Sequence, residues 1–254
     1  MKALITGASS GIGKNMAYVL ASKGIDLVLV ARNKEEMLKI KENVKVNVLV
    51  IELDLLKEKN VFKLYEICKD ENIDILINNA GFGLFGIFTE TDLTRELEMI
   101  DLNIKAYHIL TKLFLKDFVE KDSGYILNVA SSAGFMAGPR LSTYYATKNY
   151  VLKLTMAINE ELRQSGSNVV VSALCPGPVN TNFNNVANGK FSIKEASPKY
   201  VAEYAINKMF KKKMIIVPTL RIKLGIFLLR LIPYRLQLIY CYHIQGKKLG
   251  VNKK

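Results

Sequence analysis

Residues 1–20 read MKALITGASSGIGKNMAYVL, and the order of residue types in this stretch decides the fold. An apolar run at 3–6 passes directly into Thr6-Gly7-Ala8-Ser9-Ser10-Gly11-Ile12-Gly13, and a helix is predicted to open at Lys14, with Met16, Val19 and Leu20 at helical spacing. A helix N-terminus turned toward a strand's end offers unpaired N–H groups and the positive end of its dipole to an anion. Glycine is needed there because a side chain would block the approach of backbone to phosphate. Gly7, Ser9, Ser10, Gly11, Ile12 and Gly13 are therefore candidate phosphate-binding residues. Glycines alone are a weak signal; the strand before them and the helix after them give the match its weight.

Six further apolar runs follow, at 27–31, 46–53, 73–77, 124–130, 169–174 and 214–217, with helical patterns between them. One such pattern is Leu93, Leu97, Ile100, Ile104, Tyr107, Leu110 and Phe114. Runs that are apolar nearly throughout suit parallel strands covered on both faces. The expected fold is α/β: a single Rossmann-like, doubly wound parallel sheet of about seven strands, with helices on both faces and a helical C-terminal extension. Ligands in such sheets bind beyond the strands' C-terminal ends. One domain at 1–218 and an arm at 219–254 is the simplest division.

The chain has 254 residues, 50% of them hydrophobic and 23% charged, which suits a packed core and excludes disorder. The net charge of +13 is unevenly placed. Residues 204–254 hold twelve basic residues and no acidic one, leaving +1 on residues 1–203. A near-neutral body argues against a nucleic-acid-binding domain. Cys68, Cys175 and Cys241 form no Cys-x-x-Cys pair, and with only His108 and His243 beside them no metal site is expected. Sparse cysteines suit a reducing compartment, and turn chemistry from residue 6 leaves no room for a signal-peptide core, so a cytoplasmic location is expected. The apolar-rich stretch at 220–232 is too short and too charged to span a bilayer.

The second run ends in Ala31-Arg32-Asn33, where an acidic residue would hold the ribose of NAD. None is present, and Arg32 can instead pair with a 2′-phosphate, so NADP(H) is the expected dinucleotide; a solvated surface arginine is the competing reading. Tyr144 and Lys148 sit four apart in a helix-like segment and so project from one face. A phenol titrates near ~10, and a neighbouring ammonium favours its ionised form. Tyr145 competes for the role, but four residues beyond it lies the uncharged Asn149. Ser131 and Ser132 end the fifth run, facing the ligand crevice, where a hydroxyl can hold a carbonyl oxygen. Plain turn chemistry also explains two serines there.

Four sets of residues together resemble the short-chain dehydrogenase/reductase family. They are residues 6–13, Asn78-Asn79-Ala80-Gly81, Ser131 with Tyr144-x-x-x-Lys148, and Pro176-Gly177-Pro178-Val179-x-Thr181. Each is ordinary alone; their order and spacing over residues 1–218 make the combination specific. The resemblance implies hydride transfer between a nicotinamide and the carbonyl or alcohol carbon of a small molecule. It implies Tyr144 as general acid/base, Lys148 lowering its pKa and bonding the nicotinamide ribose, and Ser131 orienting the substrate. Asn103 falls where the family supports a water-mediated proton relay. Asn79, Ala80 and Gly81 would border the adenosine ribose, Asp54 and Leu55 the adenine, and Val179 and Thr181 the carboxamide, with Pro176 and Gly177 beside them. Capping is the competing role for Asp54 and Asn103. The family also implies a homo-oligomer built through helices near Asn103 and Tyr144.

A polar stretch at 182–197 is expected to be a lid over the substrate. Phe82, Phe85, Phe135, Met136 and Phe183 are each candidates to line an apolar pocket, with simple core packing the equal alternative for every one. Cys175 and His108 are expected to be packed. The arm combines Arg221, Lys223 and Arg230 with an otherwise apolar helix ended by Pro233, then a second apolar segment at 234–244. Three placements compete: packing on its own domain or a sister subunit, which the excess of apolar residues favours; lying on an anionic membrane surface; or gripping an anionic carrier. The resulting expectation is an NADP(H)-dependent carbonyl reductase or alcohol dehydrogenase for an apolar substrate. A non-catalytic dinucleotide sensor and a membrane-surface interaction protein are the alternatives.

Overall fold

The computed structural model describes residues 1–181, 183 and 195–248. Its strands are β1 (Lys2–Thr6), β2 (Asp26–Ala31), β3 (Val48–Glu52), β4 (Ile75–Asn78), β5 (Tyr125–Val129), β6 (Val170–Leu174) and β7 (Ile215–Ile216). They form one sheet in the order β3-β2-β1-β4-β5-β6-β7, parallel throughout. The seven apolar runs are the seven strands, with ends shifted by one or two residues. Strand order reverses between β1 and β4, which opens the ligand crevice at their C-terminal ends.

The helices are α1 (Gly11–Ala21), α2 (Lys34–Glu42), α3 (Glu58–Cys68), α4 (Leu93–Ile100), α5 (Tyr107–Glu120), α6 (Ser142–Gln164), α7 (Pro198–Phe210), α8 (Leu220–Leu229) and α9 (Tyr234–Lys248). They cover both faces of the sheet. Ala3, Ile5, Leu27 and Leu29 point into a core with Met16 and Leu20 of α1, Met37 of α2 and Ile206 of α7. Leu4, Val28 and Val30 point the other way, onto Leu64 of α3, Phe114 and Phe118 of α5, and Leu162 of α6. The strands inside the sheet thus bury successive side chains on opposite faces, which is why their sequences are apolar throughout rather than alternating, while the edge strand β3 leaves Leu49 exposed.

Two boundaries depart from the sequence expectations. Helix α1 begins at Gly11 rather than Lys14, with Ser10 as its N-cap, so half of the glycine loop is helical. The apolar spacing from Leu93 to Phe114 also does not describe one buried face. Tyr107, Leu110 and Phe114 are buried, whereas Leu93, Leu97 and Ile100 are exposed. Between the two groups a π-helical turn, Asp101–Ala106, joins α4 to α5 and rotates one part of the helix relative to the other.

Below the site, Asn78 donates to Asn128 Oδ1 (2.9 Å) and to Thr111 Oγ1 (3.1 Å), and Asn128 donates to Thr155 Oγ1 (3.0 Å). This buried ladder ties β4 and β5 to α5 and α6, and its pairing offsets the cost of burying the amides.

The arm packs back on the body. Gln245 Nε2 donates to the hydroxyl of Tyr145 at 2.7 Å, and Ile226, Cys241 and Gln245 are buried. Gln237 Nε2 donates to Leu229 O (2.8 Å) and Ile232 O (2.7 Å), closing the end of α8 across Pro233. Among the described residues no helix is long and apolar enough to cross a membrane.

Candidate active site

A single cleft of about 1810 Å³ runs along the C-terminal ends of the strands. One end is floored by the glycine loop. Gly7 and Gly11 hold φ of +64° and +54°, a left-handed backbone that favours glycine. A Cβ on Gly7 would lie 2.8 Å from Ala80 Cα, and one on Gly13 would lie 2.5 Å from Gly7 O. Gly13 is therefore a packing requirement and does not itself line the cleft, whereas Gly7, Ser9, Ser10, Gly11 and Ile12 do. Asn79 locks the loop, its Nδ2 donating to Thr6 O (3.0 Å) and Gly7 O (3.1 Å). The Thr6 hydroxyl accepts from the N–H groups of Asn79 (2.9 Å) and Ala80 (3.1 Å).

The start of α1 fits a diphosphate. Ser10 makes no side-chain cap and the first turn holds no acidic residue. By contrast α2 is capped by Asn33, which accepts from Glu36 N–H at 3.1 Å, and carries Glu35 and Glu36 in its first turn. A protein that spends its own caps and carboxylates on α2 but leaves α1 bare has left those N–H groups for an outside anion. Arg32 stands exposed at the cleft wall. The carboxylate of Glu36, four residues on, is taken by Lys14 (2.8 Å) and Lys39 (2.5 Å). Asp54 and Leu55 also line the cleft, and Asp54 Oδ1 accepts from Leu56 N–H at 3.1 Å, a loop contact rather than a helix cap, since Lys57 is the N-cap of α3. Ala80, Gly81, Pro176, Gly177, Val179 and Thr181 line the middle, with a Cβ on Gly11 placed 3.1 Å from the Thr181 methyl.

At the junction of the two halves lie Ser131, Tyr144 and Lys148. Ser131 follows β5 and accepts from Ala133 N–H at 3.1 Å, fixing its hydroxyl at the strand's tip. That hydroxyl acts on the Tyr144 phenol, favouring its ionised form. Lys148 is buried, donates to Val129 O at 2.9 Å, and holds its Nζ 5.8 Å from the centroid of the Tyr144 ring. Asn103 is fully buried behind them and outside the cleft lining. Its Oδ1 accepts from Phe82 N–H (3.1 Å), and its Nδ2 donates to Phe82 O (2.9 Å) and Thr147 Oγ1 (3.1 Å). The side chain therefore stitches the 80–82 turn to α6 immediately before Lys148.

The electrostatics differ from the sequence expectation. Burial pushes the Tyr144 phenol up to about 12, with only Ser131 pulling it down. The same burial pulls Lys148 down to about 8. Low dielectric penalises phenolate and ammonium alike, and burial is the dominant cause of both shifts. Sequence spacing reports that two groups are near each other; it carries no information on how dry their surroundings are.

The remaining candidates divide. Phe82, Met136 and Phe183 line the cleft, whereas Phe85 packs on Leu141 and Phe135 packs against the core around Tyr107 and Ala130. Cys175 is buried. His108 is exposed and pairs with the Tyr150 hydroxyl at 2.7 Å, so it is not a packed residue. Of the expected lid at 182–197, residues 182 and 184–194 lie outside the described residues. Phe183 sits 5.3 Å from the Tyr144 ring, centroid to centroid. Sequence reading missed the wall supplied by the arm, which includes Ile222, Ile226, Leu229, Cys241 and Gln245. It also set aside Tyr145, which lines the cleft and anchors Gln245. Among the described residues no cluster of His, Cys, Asp or Glu is placed to hold a metal.

Comparison with known proteins agrees with this geometry. A family model described as short chain dehydrogenase matches residues 1–190. An uncharacterized oxidoreductase of Staphylococcus saprophyticus is 34% identical over 210 residues, covering 80% of this chain and 88% of the relative. A short-chain dehydrogenase from Sphingobium yanoikuyae, solved in complex with NADPH, superposes with a TM-score of 0.80 at 31% identity, covering 86% of this chain and 88% of that one. A bulky-bulky ketone specific alcohol dehydrogenase from Comamonas testosteroni gives 0.76 at 31% identity, with 86% of each chain covered. A Burkholderia phymatum protein in complex with NAD gives 0.84 at 22% identity over 93% of this chain and 95% of that one, a likeness of fold alone.

Proposed function

The chain belongs to the short-chain dehydrogenase/reductase family and is an oxidoreductase of that family, and from this premise we propose that it interconverts a carbonyl and an alcohol on an apolar small molecule with NADP(H). The observation that carries the reading is that one continuous cleft is lined by Ser131, Tyr144 and Lys148 together, with the Lys148 ammonium 5.8 Å from the Tyr144 ring centroid.

A bound nicotinamide supplies or accepts the hydride. Gly7, Ser9, Ser10, Gly11 and Ile12 hold the diphosphate on the bare start of α1, and Arg32 pairs with the 2′-phosphate. Asp54 and Leu55 border the adenine, Asn79, Ala80 and Gly81 the ribose, and Pro176, Gly177, Val179 and Thr181 the carboxamide. Tyr144 and Ser131 share the substrate oxygen. In reduction Tyr144 gives that oxygen its proton, and in oxidation takes it back. A phenol raised by burial is held protonated, ready to donate, and the Lys148 cation stabilises the phenolate that donation leaves behind. Asn103 acts as a positioning residue, because every polar atom of its amide is engaged in holding Phe82 and α6.

The substrate end is walled by Phe82, Met136, Leu141, Phe183, Ile226 and Leu229, which suits a bulky apolar ketone or aldehyde. The proposed division is a catalytic body at 1–218 and an arm at 219–254, and the place of Ile226 and Leu229 in that wall supports a covering role for the arm. Exposed Leu93, Leu97 and Ile100 on α4 support a homo-oligomer through that face. A cytoplasmic location rests on the sparse cysteines.

The test is NADPH oxidation across a panel of aryl and alkyl ketones and aldehydes. Turnover on bulky apolar members is expected. Tight NADPH binding without turnover on any carbonyl or alcohol would replace the enzyme with a dinucleotide sensor.

A further inference from the structure

Helix α8 is apolar on two opposite sides, and only one of them is used. Ile222, Ile226 and Leu229 face the cleft. Leu220, Leu224, Phe227 and Leu231 are 80%, 55%, 59% and 71% exposed, and none of them lines the cleft. The spacing of four and three residues sets the first three on a single stripe, and Leu231 follows in the turn just beyond α8. Exposed Lys223 and Arg230 border that stripe on one side and Arg221, which also lines the cleft, on the other. Exposed Leu238 and Ile239, also outside the cleft, continue the apolar surface onto α9 beside Arg235. No acidic residue follows Glu203 in the chain.

An apolar stripe of this kind needs a cover, and the charges decide which. A second copy of the same face would set these bases against identical bases. Nucleic acid would satisfy the charges but offers no apolar surface to the leucines. A bilayer with anionic headgroups over acyl chains satisfies both at once. We propose that the outer face of α8, continued by α9, is a docking surface for an anionic phospholipid bilayer. The helix lies in the plane of the interface, with Leu220, Leu224, Phe227 and Leu231 entering the acyl boundary. Lys223, Arg230 and Arg221 extend sideways to the headgroups. Because a helix is only about 10 Å across, its cleft-facing residues then sit within one helix width of the lipid. An apolar substrate dissolved in the bilayer would have a short path to Tyr144, a corollary that rests on the proposed function while the docking itself does not.

The test is sedimentation of the full chain with vesicles of phosphatidylcholine alone and with about one-third phosphatidylserine, roughly the anionic content of a cytoplasmic leaflet. Strong binding is expected on the anionic vesicles only, weakening at high salt. Lys223→Gln with Arg230→Gln is expected to bind about 30-fold more weakly. Leu224→Asp with Phe227→Asp is expected to abolish binding at any salt, which separates insertion from surface adsorption. Native-like thermal melting verifies each variant's fold. If the aspartate pair melts early, the glutamine pair and the salt series on the native chain decide the question. The proposal is overturned if the native chain stays in solution with anionic vesicles, or if a correctly folded aspartate pair partitions like the native chain. It is also overturned if the only consequence of that pair is loss of self-association, which would assign the face to a second copy.

Discussion

Lys148 donates to the carbonyl oxygen of Val129 at 2.9 Å, so the residue that closes β5 fixes the position of the only buried lysine in the described chain. This tether holds the ammonium against a carbonyl two residues before Ser131 in sequence and beside the Tyr144 ring, in surroundings dry enough to bring its pKa to about 8. A catalytic cation that titrates so near neutrality makes the chemistry pH-dependent in a definite sense.

Reduction requires the protonated lysine and the protonated phenol. The phenol keeps its proton up to about pH 12 and the lysine only up to about pH 8. The kcat/KM for carbonyl reduction, which reports the free enzyme, is expected to be level below pH 8 and to fall above it with unit slope. A profile flat to pH 9.5 would show that Lys148 keeps its charge in the free protein, or does not matter.

The same shift has a stability consequence. Between pH 8 and the ordinary lysine value of 10.5, the unfolded chain binds more protons than the folded one, so stability rises with pH across that window. Below pH 8 the full cost of the buried charge is present, on the order of 3 kcal/mol from the size of the shift. Lys148→Met removes that cost and loses a hydrogen bond worth about 1 kcal/mol. At pH 7 the variant is expected to be inactive yet to melt several degrees higher than the native protein. A lower melting temperature at pH 7 would contradict the linkage.

Tyr144→Phe deletes one hydroxyl and leaves the ring packing against Phe183 in place. NADPH affinity is expected to hold within about threefold, while kcat drops by about 10³-fold or more, the scale of a lost general acid. Fluorescence titration and steady-state turnover separate the two quantities. Residual activity near a tenth of native would move the proton donor elsewhere.

Arg32→Ala should raise the KM for NADPH about 10- to 100-fold, the worth of a charge-assisted pair with a phosphate, and leave the KM for NADH nearly unchanged. Equal effects on both dinucleotides would reduce Arg32 to a solvated surface residue.

Gly81→Ala tests the wall behind Lys148. The added Cβ would lie 2.7 Å from Asn103 Oδ1 and 3.6 Å from Lys148 Nζ. The lysine is left in ordinary contact, whereas Asn103 is locked at both ends, so the clash must be relieved by a shift of the 80–82 segment or of the Asn103 amide that ties it to α6 just before Lys148. A loss of kcat of about 10-fold or more is expected, along with about 1–3 kcal/mol of stability, as for overpacking in a dense interior. Native kcat would show that the 80–82 turn yields without disturbing Lys148.

The sheet was legible because each strand buries both faces, so continuous apolar runs such as 27–31 admit little else. The nucleotide loop and the Tyr144–Lys148 pair were legible because helix geometry turns local spacing into proximity. Gln245 meets Tyr145 across 100 positions of chain, and no local pattern announces such a contact. The dry environment that raises Tyr144 comes from distant elements closing over it, and the same holds for the arm's share of the cleft wall. Leu93, Leu97 and Ile100 do lie in a helix, as their spacing indicates, but that spacing continues smoothly into Tyr107 and Leu110 across a change of helical type and so does not tell which of these residues are buried.

That change of type exposes the enzyme to a particular lesion. The Asp101–Ala106 turn accommodates more residues per revolution than its neighbours and leaves Asn103 aimed at Phe82. Removing any single amino acid from these six would let the rod heal into an unbroken α-helix with its two ends still in nearly the same relative orientation, because five residues at about 100° turn almost as far as six at about 80°. Tyr107 and Phe114 would keep their places in the core, and the damage would fall on Asn103, which would leave its station against Phe82. An in-frame loss of one codon here would do more harm than most substitutions.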